Sequence, residues 1–235
     1  MSMFGTFIAD SAGQATETLP DMEEWPESTL LKHEKESLGF YVTSHPLARY
    51  EDLIRHFSTV TASAVGGLHD GSAVTMGCIV HNIKRKVTRN GKAMALAELE
   101  DLTGNCKAIF WPKTYDRFGS LMEEDAVVFV RGKVDAKGEE AGVIVSEVIP
   151  IEDAYGRLTR SVRIKLNCVG LEEETLQQLK RILSDNAGEC PVVLEMREDG
   201  QKTAVMVDRQ LYVLPSRELV AAFDDLLGPG RVVLN

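Results

Sequence analysis

Residues 74–149 read as five extended segments broken by turn signals and one short helical stretch, an order that few small folds accommodate. Residues 74–87 form a long run rich in β-forming side chains, followed by Arg89-Asn90-Gly91-Lys92. Asn-Gly is a strong signal for a two-residue type I′ hairpin, because both central residues of that turn need positive φ. Residues 93–101 then return, Thr103-Gly104-Asn105 turns again, and residues 106–111 supply a third strand. Residues 112–123 suit a helix, with Pro112 at its first turn and Tyr115, Phe118, Leu121 and Met122 at helical spacing. Residues 126–134 and 142–149 complete the set, joined by a charged loop containing glycine.

Strand-strand-strand-helix-strand-strand is the order of the OB-fold, a five-stranded Greek-key barrel that most often binds single-stranded nucleic acid or oligosaccharide. The expected fold class is therefore mixed β and α+β. An OB-fold nucleic-acid-binding barrel occupies residues 72–152, preceded by a linker and two helices and followed by a small α+β domain at 158–235. Residues 1–27 read as a flexible linker, small and polar at first and acidic between Pro20 and Pro26. Residues 28–71 read as a helical segment. Its first helix spans 28–39 with Ser28 as N-cap, and its second spans 47–57 with Leu47, Tyr50, Leu53, Ile54 and Phe57 on one face. A connection containing glycine at 61–71 leads into the barrel. After a short link at 152–159, Val162, Ile164 and Leu166 alternate as a strand and residues 171–185 form a helix. Residues 192–196 and 204–207 suggest a hairpin around Asp199-Gly200, and 212–214 a further strand. Ser216 caps a helix over 216–227, and 232–234 closes the sheet.

A chain of 235 residues is long enough for two small domains, each with its own core. Its net charge of −10 argues against a general nucleic-acid binder. The distribution shifts that argument: residues 1–73 carry 4 basic and 11 acidic side chains, whereas residues 74–150 carry 11 of each. Nucleic-acid affinity must then come from a local patch. No apolar run is long enough to span a bilayer, and no signal-peptide pattern opens the sequence, so neither a membrane nor an export route is expected. The four cysteines are scattered without a C-x-x-C pair. Cys78 and Cys106 lie in β segments as reduced, buried thiols, which points to the cytoplasm.

One such patch is present. Lys84, Arg85, Lys86, Arg89 and Lys92 put five positive charges within nine residues at the tip of the first hairpin. The loop between strands 1 and 2 of this fold usually contacts ligand, so these side chains are candidate phosphate contacts. The plainer alternative is a solvated tip, because exposed ribbons carry Lys and Arg against sheet stacking. With strict alternation Asn82, Lys84, Lys86 and Thr88 share one face and Arg85 points the other way. Aromatic platforms for bases are scarce. Phe110 and Trp111 are adjacent and so face oppositely, and Phe129 reads as core. Asp101 in Asp101-Leu102-Thr103-Gly104 reads as a turn residue capping local amides. The five histidines stand 11 to 13 residues apart, so no metal site is expected. No cofactor motif, nucleophile elbow or paired-acid centre is legible, and the chain alone is not expected to be an enzyme.

The string Glu34-Lys35-Glu36-Ser37-Leu38-Gly39-Phe40-Tyr41-Val42-Thr43-Ser44-His45-Pro46-Leu47 resembles the E-x-E-x-L-G-x-Y-x-[ST]-x-H-P-[LI] segment that precedes the OB domain in the alpha subunit of bacterial DNA polymerase III. Leu99-Glu100-Asp101-Leu102-Thr103-Gly104 and Phe110-Trp111-Pro112 extend the resemblance through the barrel, and Leu214-Pro215-Ser216 into the C-terminal domain of that subunit. The resemblance implies a C-terminal region lacking the palm domain and its catalytic aspartates. It implies that the barrel handles single-stranded template DNA. Partners would be the sliding clamp, the clamp-loader tau subunit and the remainder of the polymerase. The family's clamp-binding peptide has the form Gln-x-x-[LM]-F, and Met1-Ser2-Met3-Phe4-Gly5 matches its end. Met3 and Phe4 become candidate clamp anchors, and Met1 reads as an internal methionine of a longer protein. Two rivals stand beside this reading: an RNA-reading, anticodon-type OB module, and a protein–protein scaffold whose basic hairpin is only solvated.

Overall fold

The computed structural model describes residues 25–38, 45–138, 140–168, 171–198 and 201–235. Met3, Phe4, most of the linker and the Asp199-Gly200 turn lie outside the described residues. Two compact units are present, Met1–Pro46 and Leu47–Asn235. In the first, α1 (Glu27–Leu38) begins where the Thr29 and Leu30 amides donate to the Pro26 carbonyl. Ser28 therefore sits inside the first turn rather than capping it. Among the described residues no helix is long and apolar enough to cross a membrane.

The second unit opens with a 3₁₀ turn at Ala48–Tyr50 that runs into α2 (Glu51–Phe57), so the single helix expected over 47–57 is split. Its apolar face is as expected: Leu47 and Ile54 are buried and pack with Ile79, Phe129, Ile149 and Ile151 on the outer wall of a barrel. A Cβ on Gly77 would stand 2.7 Å from the Ile54 side chain and 3.0 Å from the Phe129 ring, so the close seat of α2 requires glycine there. The connection after α2 is not plain loop. A 3₁₀ segment, Ala62–Gly67, buries Ala62 and Val65 in the barrel core, and the Ala62 amide donates to Asp101 Oδ2 at 2.7 Å.

The barrel is closed in the order β1-β2-β3-β5-β4, with β1 (Ala73–Val87), β2 (Ala93–Asp101), β3 (Gly104–Phe110), β4 (Val127–Asp135) and β5 (Gly142–Pro150). Within the barrel, β3 and β5 pair in parallel and the other neighbours are antiparallel. Met76, Cys78, Val80, Ala95, Ala97, Leu99 and Phe110 fill its interior, each pointing inward by strand alternation. Between β3 and β4, α3 (Pro112–Phe118) ends five residues earlier than expected, passing into a 3₁₀ turn at Gly119–Leu121 that still buries Phe118 and Met122. Burial pushes the Cys78 thiol well up and the Cys106 thiol to about 12, so both remain protonated packing groups.

Past the barrel, the link at 152–159 contains a short helix, α4 (Ala154–Leu158). A second sheet follows in the order β10-β6-β8-β9, from β6 (Val162–Asn167), β8 (Val192–Glu198), β9 (Gln201–Met206) and β10 (Val232–Leu234). Helices α5 (Glu173–Asp185) and α6 (Arg217–Leu227) cover one face through Leu179, Leu183, Leu219 and Phe223. Ser216 caps α6 as expected, its Oγ accepting from the Leu219 amide at 3.0 Å. The strand expected over 212–214 is reduced to Val213, which bridges the two ends of β7 (Ala187–Cys190). Phe57 touches both lobes edge-on, with ring centroids 6.2 Å from Phe129 and 6.2 Å from Tyr155.

Candidate nucleic-acid interface

The basic hairpin is aimed by a bulge. Along the root of β1 the even-numbered residues Met76, Cys78 and Val80 face the barrel interior. Strict alternation would send Lys84 and Lys86 inward as well. Instead the register with β2 slips: His81 stands opposite Glu98 but Lys84 opposite Leu96, so Asn82 and Ile83 together face one β2 residue. A one-residue slip exchanges the two faces of a strand. Beyond it Ile83 packs against the core and Arg85 stands opposite the buried Ala95, while Lys84 and Lys86 point outward. Lys84 and Lys86 do share a face with Arg85 on the other, as the sequence suggests. The bulge decides which face that is.

Several groups hold the bulge. Asn82 adopts φ +52°, a left-handed conformation that asparagine tolerates better than most residues. Its side-chain amide donates to Glu98 Oε2 at 2.8 Å, and its backbone amide donates to Glu124 Oε1 at 2.8 Å. The Ile83 amide reaches the other Glu124 oxygen at 3.5 Å. Beside it, the buried His81 imidazole lies 3.1 Å from Glu100 and 3.0 Å from Asp125, with Glu124 at 3.8 Å. The described residues contain no cluster able to hold a metal ion, and His81 acts here as a hub for carboxylates.

At the tip, Lys84, Arg85, Lys86, Arg89 and Lys92 are all exposed. Arg85 Nε donates to Tyr115 Oη at 3.1 Å, which ties the hairpin to α3. Among the described residues no carboxylate forms an ion pair with Lys84, Lys86, Arg89 or Lys92. The turn departs from the expected type I′: Gly91 has φ +74° but Asn90 is not in the positive-φ region. Thr88 and Lys92 close the ribbon instead, with the Thr88 amide donating to the Lys92 carbonyl at 2.8 Å and the Gly91 amide to the Thr88 carbonyl at 2.9 Å. That leaves a three-residue loop, in which a left-handed glycine fits the strand twist.

From the foot of the ribbon, a groove of about 340 Å³ runs across β2 and β3 to the β4–β5 loop, lined in part by Asn82, Lys84, Leu96, Glu98, Lys107 and Glu140. Its floor is mixed in charge. Lys107 pairs with Glu140 and, by hydrogen bond and attraction, holds that carboxyl below the usual range. The lining contains no aromatic ring. Phe110 and Phe129 are core, and Trp111, 45% exposed ahead of α3, is the exposed aromatic of the barrel. Phosphate contact at the tip, with little base stacking, is what this geometry offers.

Sequence reasoning missed Glu124, His81 and Tyr115 as supports. The bulge did leave a trace: the apolar parity changes from even at Val80 to odd at Ile83, with polar His81 and Asn82 between them.

The OB-fold nucleic acid binding domain family tRNA_anti-codon matches residues 74–151, the barrel described above. DNA polymerase III subunit alpha of Mycobacterium tuberculosis (strain CDC 1551 / Oshkosh) is 31% identical over 96% of this chain and 19% of its own length. The subunit of Pseudomonas aeruginosa is 27% identical over 100% of this chain and 20% of its own. The chain is homologous to DNA polymerase III subunit alpha. It spans about a fifth of the length of the curated relatives it matches. Among solved structures, a replication protein A heterotrimer bound to ssDNA aligns at TM-score 0.28 and 20% identity, over 36% of this chain and 61% of that one.

Proposed function

We propose that the chain is a non-catalytic part of a replicative DNA polymerase whose barrel binds single-stranded template DNA through Lys84, Arg85, Lys86, Arg89 and Lys92. The observation that carries this reading is the outward turn of Lys84 and Lys86, which no described carboxylate pairs, with Lys84 lining a groove on a barrel that matches a nucleic-acid-binding domain family. Cations placed there neutralise phosphates and release counterions, giving modest affinity that falls steeply with salt. Residues 72–152 act as the nucleic-acid module and residues 158–235 dock protein, with the clamp-loader tau subunit as partner. Met3 and Phe4 anchor the sliding clamp, an apolar pair suited to a groove. The protein works in the cytoplasm with the remainder of the polymerase, which supplies nucleotidyl transfer.

The test is fluorescence anisotropy of labelled dT against the purified chain across a salt series. Each phosphate contact on a single strand contributes about 0.7 to the slope of log K against log salt. The variant K84Q/K86Q/R89Q should therefore flatten the slope by about 2. An unchanged slope sinks the hairpin reading. The name of the matching family favours RNA as a second reading, and competition between dT and rU oligonucleotides separates the two. For the N-terminus, M3A/F4A should abolish clamp capture while leaving dT binding intact.

A further inference from the structure

The second sheet is covered by α5 and α6 on one face, and on the other Arg163, Arg197 and Lys202 are exposed and Lys165 is half-buried. Strand alternation places Arg163 and Lys165 of β6, Glu195 and Arg197 of β8, and Lys202 of β9 on that open face. Lys165 stands directly opposite Glu195, and Arg197 opposite Lys202. Glu195 is the hub: Lys202 lies 3.2 Å from its carboxylate, Arg197 3.6 Å and Arg163 3.8 Å. One carboxylate shared among three cations cancels a single charge, and among the described residues no ion pair engages Lys165. The face keeps a clear positive excess on a chain whose net charge is −10. The helical layer has the reverse balance, α5 and α6 together carrying six acidic and three basic side chains. Charge is thus segregated across this small domain rather than scattered.

We infer that this open sheet face is a second contact for single-stranded DNA, gripping the sugar–phosphate backbone without reading bases. Two features favour a nucleic-acid strand over an acidic polypeptide. No aromatic residue lies on β6, β8 or β9 to supply the kind of buried anchor a protein interface depends on. The same compact unit also holds a barrel that matches nucleic-acid-binding domains, so a strand held there supplies a nearby polyanion. Glu195 competes with phosphate for three of these cations, so it moderates the grip of the face rather than creating it.

The test uses the whole chain and labelled dT of about 12 and about 40 nucleotides, the shorter within the ~4–16-nucleotide site of one OB barrel. R163Q/K165Q/R197Q/K202Q should bind the shorter strand as the parent does. It should lose about tenfold on the longer one, with a salt slope flatter by about 2. E195Q removes the negative charge and leaves every cation, so it should tighten longer-strand binding by about threefold. That arm decides the matter if the quadruple variant fails to fold. An unchanged slope in a folded quadruple variant, or no tightening in E195Q, overturns the inference. So does displacement of poly-glutamate, but not of DNA, by the quadruple substitution, since the occupant is then an acidic polypeptide. The hairpin variant K84Q/K86Q/R89Q reports separately: loss of short-strand binding speaks for the barrel alone. Loss of long-strand binding only in the sheet variant leaves this inference standing while the barrel reading falls.

Discussion

The hairpin of the barrel and the open sheet of the C-terminal lobe both gather lysine and arginine, but by opposite devices. On the hairpin a bulge throws Lys84 and Lys86 outward, where no described carboxylate pairs with them. On the sheet an uninterrupted alternation suffices, and three of four cations converge on Glu195. The barrel could not use the second device. Its interior claims one face of every strand, so cations on β1 must either leave the inward face or be placed where the parity has changed. The open sheet has a face clear of α5 and α6 and can place a counter-charge at its centre. Aim depends on backbone geometry in the first case and on a side-chain cluster in the second.

The sharpest way to break that contrast is to ask whether the two lobes stand or fall together. Phe129 is fully buried on the outer barrel wall and Phe223 fully buried under the second sheet. Removing either ring should cost about 3–5 kcal/mol. Because Phe57 packs against both Phe129 and Tyr155, we expect one melting transition, shifted down by similar amounts in F129A and F223A. Two transitions in calorimetry, each sensitive to only one of these substitutions, would make the lobes independent.

A smaller effect isolates the bulge. Glu124 accepts the Asn82 amide and reaches the Ile83 amide, two donors that the bulge removes from the strand ladder. E124A should cost about 1 kcal/mol in stability, and it should also weaken dT binding although the cations themselves remain. E124Q keeps an acceptor oxygen and should restore most of the binding. The equivalent change on the sheet, E195Q, should act in the other direction on DNA. Loss of dT binding in both variants would mean that the two carboxylates merely keep the fold intact.

How far these devices can be read without a structure differs between them. The barrel was legible because five strands and a helix in that order leave a distinctive pattern of alternation and turns. The basic cluster was legible as charge density, but its direction was not, since direction depends on a slip at Asn82-Ile83 stabilised by Glu124, 42 residues beyond Asn82. Local propensity also overran element ends: Gly119 turns α3 into a 3₁₀ turn although apolar spacing continues to Met122. The Asn90-Gly91 signal named the right place and the wrong turn, because only Gly91 takes positive φ. Val213 read as a strand for its β-forming side chain, yet it makes only isolated bridges with β7, whose Ala187-Gly188-Glu189-Cys190 carries no strand signal. The Glu195 cluster was invisible because its members come from three strands whose register the sequence does not state.

The smallest expected effect compares the two lobes through pH. In the barrel, burial pushes the Glu147 carboxyl up, but hydrogen bonds from Arg157 and from Arg131 at 3.2 Å outweigh it and hold the group below its ordinary 4.5. In the sheet, the Lys202 ammonium 3.2 Å away leads and, with Arg197 and Arg163, overcomes burial to lower Glu195 likewise. A carboxyl lowered in the folded state lends stability above its unfolded value and loses it as pH falls through the folded one. E147Q should therefore cost less than about 1 kcal/mol near neutral pH, the range of a partly exposed ion pair. The gap between parent and variant should close as the pH drops below about 4.5, because the parent then carries the same neutral group. Urea melts of parent, E147Q and E195Q at neutral and acid pH measure both gaps. A gap that persists in acid for Glu147 but closes for Glu195 would place the value of Glu147 in packing, and would leave charge pairing as a device of the sheet alone.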